Sequence, residues 1–223
     1  MPSRNKLLSI CSTRNHPERL REMLKSWRET RTFGDMVVHI WKKDPKIKEY
    51  KELFEEFPEV RFFTGEEWFM GEVLNFYSSF YDQYDYYQNI NDDHYYVKKG
   101  WDKLMTEPLD KKKGMGICYT KGKGNKHNPN AEIISGKIVR GLGYYIFPKF
   151  RQFGFETYIE DIGKMFGFYF VEETIEHRSV NSGHGEKDKE YKFIYGTDEQ
   201  LNYAKAVEGW NKVKERECKK IVI

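Results

Sequence analysis

Leu7-Leu8-Ser9-Ile10-Cys11-Ser12, continuing into Thr13-Arg14-Asn15-His16-Pro17-Glu18-Arg19-Leu20, is the stretch whose pattern decides the fold. Its first six residues are an apolar run of strand length, as expected of a strand covered on both faces. Asn15-His16-Pro17 then supplies a cap and a proline at the first helical position, where the missing N–H costs nothing. Leu20, Met23, Leu24 and Trp27 follow at helical spacing and make one apolar stripe. The same alternation continues outward. Residues 36–41 read as a second strand, and Ile47, Tyr50, Phe54 and Phe57 as a helix closed by Pro58. Residues 60–63 read as a third strand, Val73, Leu74, Tyr77 and Tyr81 as a third helix, and 86–91 as a fourth strand. Strands alternating with helices imply a parallel sheet with right-handed crossovers, an α/β architecture.

The second half is less regular. Residues 114–119 and 168–175 read as strands, and Lys121-Gly122-Lys123-Gly124 as a flexible loop. Thr197 and Gln200 form a capping-box pattern before Leu201, Ala204, Val207 and Trp210. No repeat or interdomain linker interrupts the chain, so 1–223 is expected to be one domain.

The 223 residues are 39% hydrophobic and 33% charged, enough to bury a core and unlike a disordered chain. Aromatic residues reach 17%, which suits either a stiff core or a cleft that stacks flat rings. A net charge of +3 is too small for a protein that lives by phosphate-backbone contacts. Cys11, Cys118 and Cys218 are odd in number and widely spaced, so no zinc-type pairing and no disulfide framework follows from them. A reducing compartment fits them. Residues 1–5 lack the apolar core of a signal peptide, and no apolar run reaches membrane-spanning length, so a cytoplasmic location is expected.

In open parallel sheets, ligands sit beyond the carboxyl ends of the strands. Three polar clusters fall at such ends: Ser12-Thr13-Arg14, Asp44, and Asn91-Asp92-Asp93-His94. The last is the sharpest feature, because adjacent carboxylates after an apolar strand are costly unless something positive compensates them. A divalent cation on a diphosphate would do so, since hard cations take oxygen ligands. The bland alternative is a solvated turn, or an N-cap for a helix around 99–105. Glu176-His177 and the glycine-flanked His184 in 181–185 form a second concentration, readable as metal ligand and mobile loop or as a packed ring and plain flexibility. Glu160-Asp161 is a third: either first-turn acids that complement a helix dipole, or a general base.

The order of these clusters resembles the nucleotide-sugar glycosyltransferases of the GT-A fold, in appearance the short family 2-like enzymes of bacteria and their phages. The matching pieces are Ser12 to Leu20, Gly71-Glu72-Val73-Leu74-Asn75, Asn91-Asp92-Asp93-His94, Ile134-Ser135-Gly136-Lys137 before Gly143-Tyr144-Tyr145, and Glu176-His177. The resemblance implies a Rossmann-like fold with a nucleotide-sugar-binding half at 1–105 and an acceptor-side half at 106–223. It implies that Thr13, Arg14 and Asp44 hold the nucleoside, with Asn75 nearby, and that Asp92 faces the ribose or metal. Asp93 would bind a manganese or magnesium ion bridging the diphosphate, His177 would complete its coordination, and Glu160 or Asp161 would be the base. The family's first acidic position is Asn91 here, so the metal motif falls among Asn91, Asp92, Asp93 and His94. The implied reaction is direct displacement with inversion at the anomeric carbon, from a nucleotide sugar to a glycan, a small molecule or a modified nucleic acid. Two alternatives stand beside it. A sugar nucleotidyltransferase would carry a glycine-rich loop after its first strand, which Cys11-Ser12-Thr13-Arg14-Asn15 lacks. A nucleotide- or carbohydrate-binding module would not need a base.

Overall fold

The computed structural model describes residues 6–122, 125–151, 154–172, 174–177 and 197–221; for 121–122, 125–130, 177 and 197–201 it describes the backbone alone. The first half is β1 (Leu7–Thr13), α1 (Pro17–Thr30), β2 (Asp35–Trp41), α2 (Ile47–Glu56), β3 (Arg61–Gly65), α3 (Met70–Phe80) and β4 (Tyr86–Asn91). Each matches an expected element to within a few residues at its ends. Then come β5 (His94–Tyr96), α4 (Trp101–Asp110), β6 (Ile117–Gly122), β7 (Asn125–Ser135), α5 (Gly136–Leu142) and α6 (Phe155–Phe166). The chain continues with β8 (Phe168–Val171), β9 (Ile175–His177) and α7 (Thr197–Cys218).

Seven strands form one sheet in the order β3-β2-β1-β4-β7-β6-β8, and β5 pairs with β9 in a separate ribbon. The first four strands of the chain run parallel, β7 is antiparallel to both its neighbours, and β8 is parallel to β6. Register sets the level of the strand ends. Ser12 lies opposite both His39 and Asn91, so the residues that follow β1, β2 and β4 leave the sheet side by side.

Period-two alternation along each strand divides the core between two faces. Leu8, Ile10, Val37, Tyr87 and Ile134 pack with Val73, Leu74, Ile138, Tyr158 and Trp210, under α3, α5, α6 and α7. Leu7, Cys11, Val38, Ile90 and Ile133 pack with Leu20, Trp27, Tyr50, Trp101 and Met105, under α1, α2 and α4. The sheet is therefore covered twice, which explains why β1 and β2 are almost continuously apolar. Each fully buried Leu, Ile or Phe contributes roughly 1.5–3 kcal/mol. Two glycines mark backbone contacts that no Cβ would permit: one at 71 would overlap the Phe150 carbonyl oxygen, and one at 136 the Tyr84 carbonyl oxygen. Among the described residues, no helix is long and apolar enough to cross a membrane.

α1 starts as expected, with His16 as its N-cap and Pro17 at the first helical position. Several expectations are corrected. Residues 168–175 are two strands in two sheets rather than one. Lys121 and Gly122 belong to β6, which pairs with β7 from Asn125 onward, rather than to a loop; Lys123 and Gly124 lie outside the described residues. β7 escapes sequence reading because its first half, Asn125-Lys126-His127-Asn128-Pro129-Asn130, is polar and carries a proline. Glu160 and Asp161 lie in the middle of α6, so they are not first-turn acids; Glu156 is. The cysteines Cys11, Cys118 and Cys218 are free and buried.

Candidate functional site

Asp92 and Asp93 form the turn between β4 and β5, and α4 takes Gly100 as its N-cap. The acids therefore do not cap the next helix. Thr13, at the last position of β1, donates its hydroxyl to Asp92 Oδ2 at 2.6 Å. That proton is spent, so the contact between Thr13 Oγ1 and the Tyr50 phenol at 3.0 Å runs with Tyr50 as donor. The same phenol oxygen accepts from the His16 N–H at 3.0 Å. A chain from Tyr50 through Thr13 to Asp92 thus crosses from α2 over β1 to β4. Burial raises the proton affinity of Tyr50, which keeps it a donor.

Asp92 itself is half-buried, and its carboxyl is pushed up to about 7. Burial is the largest cause, the Asp93 charge adds to it, and the Thr13 bond and Arg19 oppose it. Directly below, the Cys11 thiol is raised by burial and by the charges of Asp92 and Asp93. The end of β4 is therefore a place where negative charge is held against the cost of desolvation. Asp93 Oδ1 is itself buried.

The neighbouring strand ends build a wall beside this pair. Asp44 is 2% exposed and accepts from the Asn15 N–H and the Lys46 N–H, each at 2.8 Å. Asn15 has φ of +60°, a left-handed conformation that asparagine tolerates and that this bond holds in place. The Arg14 guanidinium lies 4.7 Å from the centroid of the Trp41 ring and pairs with Glu67. Thr13, Arg14, Asp44 and Asp92 are thus joined at one end of the sheet.

His94 is 5% exposed, with Nδ1 accepting from the Asn91 N–H at 3.1 Å. The β5–β9 register sets His177 directly opposite His94, which brings its backbone beside the acidic turn. The loop 181–185 with His184, and Lys187-Asp188, lie outside the described residues.

Three further expected site residues make contacts within the protein. Asn75 accepts from the Tyr145 and Ile146 N–H groups at 2.9 and 3.0 Å and donates to the Ile146 carbonyl at 2.9 Å. Its amide seats the segment after α5 on α3. Asp161 accepts from Trp210 Nε1 at 3.1 Å and Lys214 Nζ at 3.0 Å, which ties α6 to α7. Glu160 lies 3.5 Å from Lys164 one turn along the same helix.

A second polar group was missed. Glu132 on β7 is 4% exposed and accepts from Asn89 Nδ2 at 3.2 Å and the Tyr145 hydroxyl at 3.3 Å. Its carboxyl is pushed up to about 8, first by burial and also by the charge of Glu156. Glu156 is exposed in the first turn of α6. A lone acid inside Ala131-Glu132-Ile133-Ile134 was the available signal, because a charge in an apolar strand run is rarely accidental.

Parallel strands ending in a shared polar cluster, with an antiparallel excursion on one side, give the fold of nucleotide-sugar glycosyltransferases of the GT-A type. Solved structures that the chain resembles include the mannosyltransferase PcManGT from Pyrobaculum calidifontis in complex with GDP-Man and Mn2+. That likeness has a TM-score of 0.63 at 10% identity, over 96% of this chain and 76% of that one. TarS from S. aureus matches with a TM-score of 0.60 at 11% identity, over 77% of this chain. The match spans only 36% of the TarS chain. The 1-349 portion of TarS in complex with UDP-GlcNAc matches with a TM-score of 0.57 at 10% identity, over 90% of this chain and 79% of that one. No family model and no curated protein sequence matches the chain.

Proposed function

We propose that this protein is a glycosyltransferase that takes a sugar from a nucleoside-diphosphate donor with the help of manganese or magnesium. The observation that carries the reading is the Thr13–Asp92–Asp93 arrangement at the carboxyl ends of β1 and β4, in a fold shared with proteins solved with GDP-Man and UDP-GlcNAc. Thr13, Arg14 and Asp44 would line the nucleoside, with Trp41 as the flat surface that Arg14 already stacks on. Asp92 would face the ribose or the metal, and Asp93 would bind the metal, with His177 as a further ligand.

The donor set suits a hard cation. Two adjacent carboxylates, one of them with its proton affinity raised by burial and by the other, gain from a divalent charge. Among the described residues, no cluster of three or more His, Cys, Asp or Glu side chains holds a metal by itself. The diphosphate oxygens of the donor would supply the remaining ligands, as magnesium-type ions prefer. When bound, the cation would neutralise charge on the leaving diphosphate.

The base is better assigned to Glu156 than to Glu160 or Asp161. Glu156 is exposed at the N-terminus of α6 and electrostatically coupled to Glu132, the β7 partner of Asn89 on the strand that ends in the acidic turn. Asp161 is committed to Trp210 and Lys214. Glu156 would accept the proton of an acceptor hydroxyl as that oxygen attacks the anomeric carbon. One base and a direct displacement give inversion.

A thermal-shift screen of UDP- and GDP-sugars with and without manganese tests this reading. A ligand that binds the folded state raises its melting temperature by mass action. The expected result is a rise that needs nucleotide and metal together and is absent in Asp93→Ala. A rise with nucleotide alone that survives in Asp93→Ala would contradict it.

A further inference from the structure

Glu132 is a buried carboxyl that the proposed reaction does not consume, and its hydrogen bonds are lopsided. Both side-chain donors that reach it among the described residues, Asn89 Nδ2 and the Tyr145 hydroxyl, go to the same oxygen, Oε1, and the backbone N–H of Glu132 itself also favours the carboxylate. Asn89 Oδ1, the other end of the same amide, is buried with no hydrogen-bond partner among the described residues. A buried acceptor left open costs about 1–3 kcal/mol. An ionised carboxylate cannot relieve it, because it has no proton to give.

We propose that Glu132 is held as a neutral carboxylic acid whose Oε2 proton closes on the Asn89 carbonyl oxygen, forming an uncharged acid–amide pair next to Glu156. In this pair Asn89 Nδ2–H donates to Oε1 while Oε2–H donates back to Asn89 Oδ1, so both ends of the amide are used. Glu132 is then a positioning residue for the acceptor side, resting on the assignment of Glu156 as base. The groups that face it come from each neighbouring element. Asn89 is on β4, Tyr145 follows α5, and Glu156 on α6 is the nearby charge that disfavours its ionisation; the first two and its own backbone favour the ion but do not outweigh burial. Tyr145 stays protonated, since burial and Glu132 both raise its proton affinity, so it remains a donor. Holding Glu132 neutral keeps a second negative charge away from the base and from a donor diphosphate.

Two measurements test this. In the first, the melting temperature of Glu132→Gln is compared with that of the wild type, without ligand, across the pH range. Glutamine keeps the shape and always donates to Asn89 Oδ1. A native acid with raised proton affinity loses stability, relative to the unfolded chain, as pH climbs from about 4.3 towards the native value. The Gln variant does not, so its advantage should grow between about 4.3 and about 8 and then level off. A difference that stays flat across that range would overturn the proposal. In the second, turnover is followed against pH. The wild type should lose activity as pH rises through about 8, and Glu132→Gln should lack that decline. Glu132→Leu should fall on the order of tenfold to a hundredfold at neutral pH, with Gln recovering most of the loss. If Gln falls as far as Leu, the neutral-acid role is wrong. If the wild type turns over no donor but the thermal difference grows as described, the acid–amide pair stands and the transferase assignment fails.

Discussion

Thr13 and Asp92 are 79 positions apart in the chain, yet one short hydrogen bond joins them and fixes where the acidic turn points. That bond and Arg19 favour the Asp92 ion, but burial and Asp93 oppose it more strongly. The sign of the resulting stability effect is definite. An aspartate that ionises near 3.9 when unfolded and near 7 when folded destabilises the native state progressively between those values, and fully above them. Asp92→Asn keeps the acceptor for Thr13 and removes the charge. At pH 8 it should therefore raise apo stability by about 1–3 kcal/mol, after discounting for partial exposure, while it weakens metal-dependent nucleotide binding. Chemical denaturation and donor titration on the same variant check both halves. A residue that costs stability and gains it back only with ligand is the expected behaviour of a site. The two candidate bases separate at this scale too. Glu156→Gln should lower kcat by about 100- to 10,000-fold with little change in melting temperature. Asp161→Asn should do the reverse, costing about 1–3 kcal/mol through Trp210 and Lys214 while turnover persists. Steady-state kinetics beside melting curves for the pair give the answer.

Among the elements, α3 shows how a sequence piece acquires its meaning only in three dimensions. Gly71 and Asn75 both serve the segment that follows α5: Gly71 lets Phe150 approach and donates to the Arg151 carbonyl at 2.8 Å, and Asn75 binds Tyr145 and Ile146. Asn75→Ala should cost roughly 1–3 kcal/mol and, on the proposed reading, leave the donor KM of the folded protein unchanged. A raised KM at full stability would instead support the nucleoside contact that the resemblance implies for Asn75. The first four strands and three helices were legible because apolar spacing in doubly covered strands and amphipathic helices is local information. The end of β4 was legible for the same reason: acids just after an apolar run stand out. Partners set by tertiary contact were not. Nothing near Asn75 or Asp161 in the chain announces Ile146 or Lys214, and β7 hides its pairing behind Asn128-Pro129-Asn130. Glu156 and Glu132 were open to reading as a first-turn acid and as a charge inside a strand, but only their proximity links them.

The whole molecule divides labour across the sheet. The face under α1, α2 and α4 carries the Tyr50–Thr13–Asp92 chain, and the face under α3, α5, α6 and α7 carries Asn89, Glu132 and Tyr145. Both meet β4, whose carboxyl end leads into Asp92 and Asp93. A donor held from one face and an acceptor approached from the other would therefore converge on that strand end. The most direct test is anomalous diffraction at the manganese edge from crystals grown with manganese and a nucleoside diphosphate. The expected result is one ion within about 2.5 Å of an Asp93 carboxylate oxygen, with the diphosphate on its far side and the nucleoside against Thr13 and Asp44. Nucleotide bound with no ion at Asp92 or Asp93, or an ion bound elsewhere in the chain, would contradict the site.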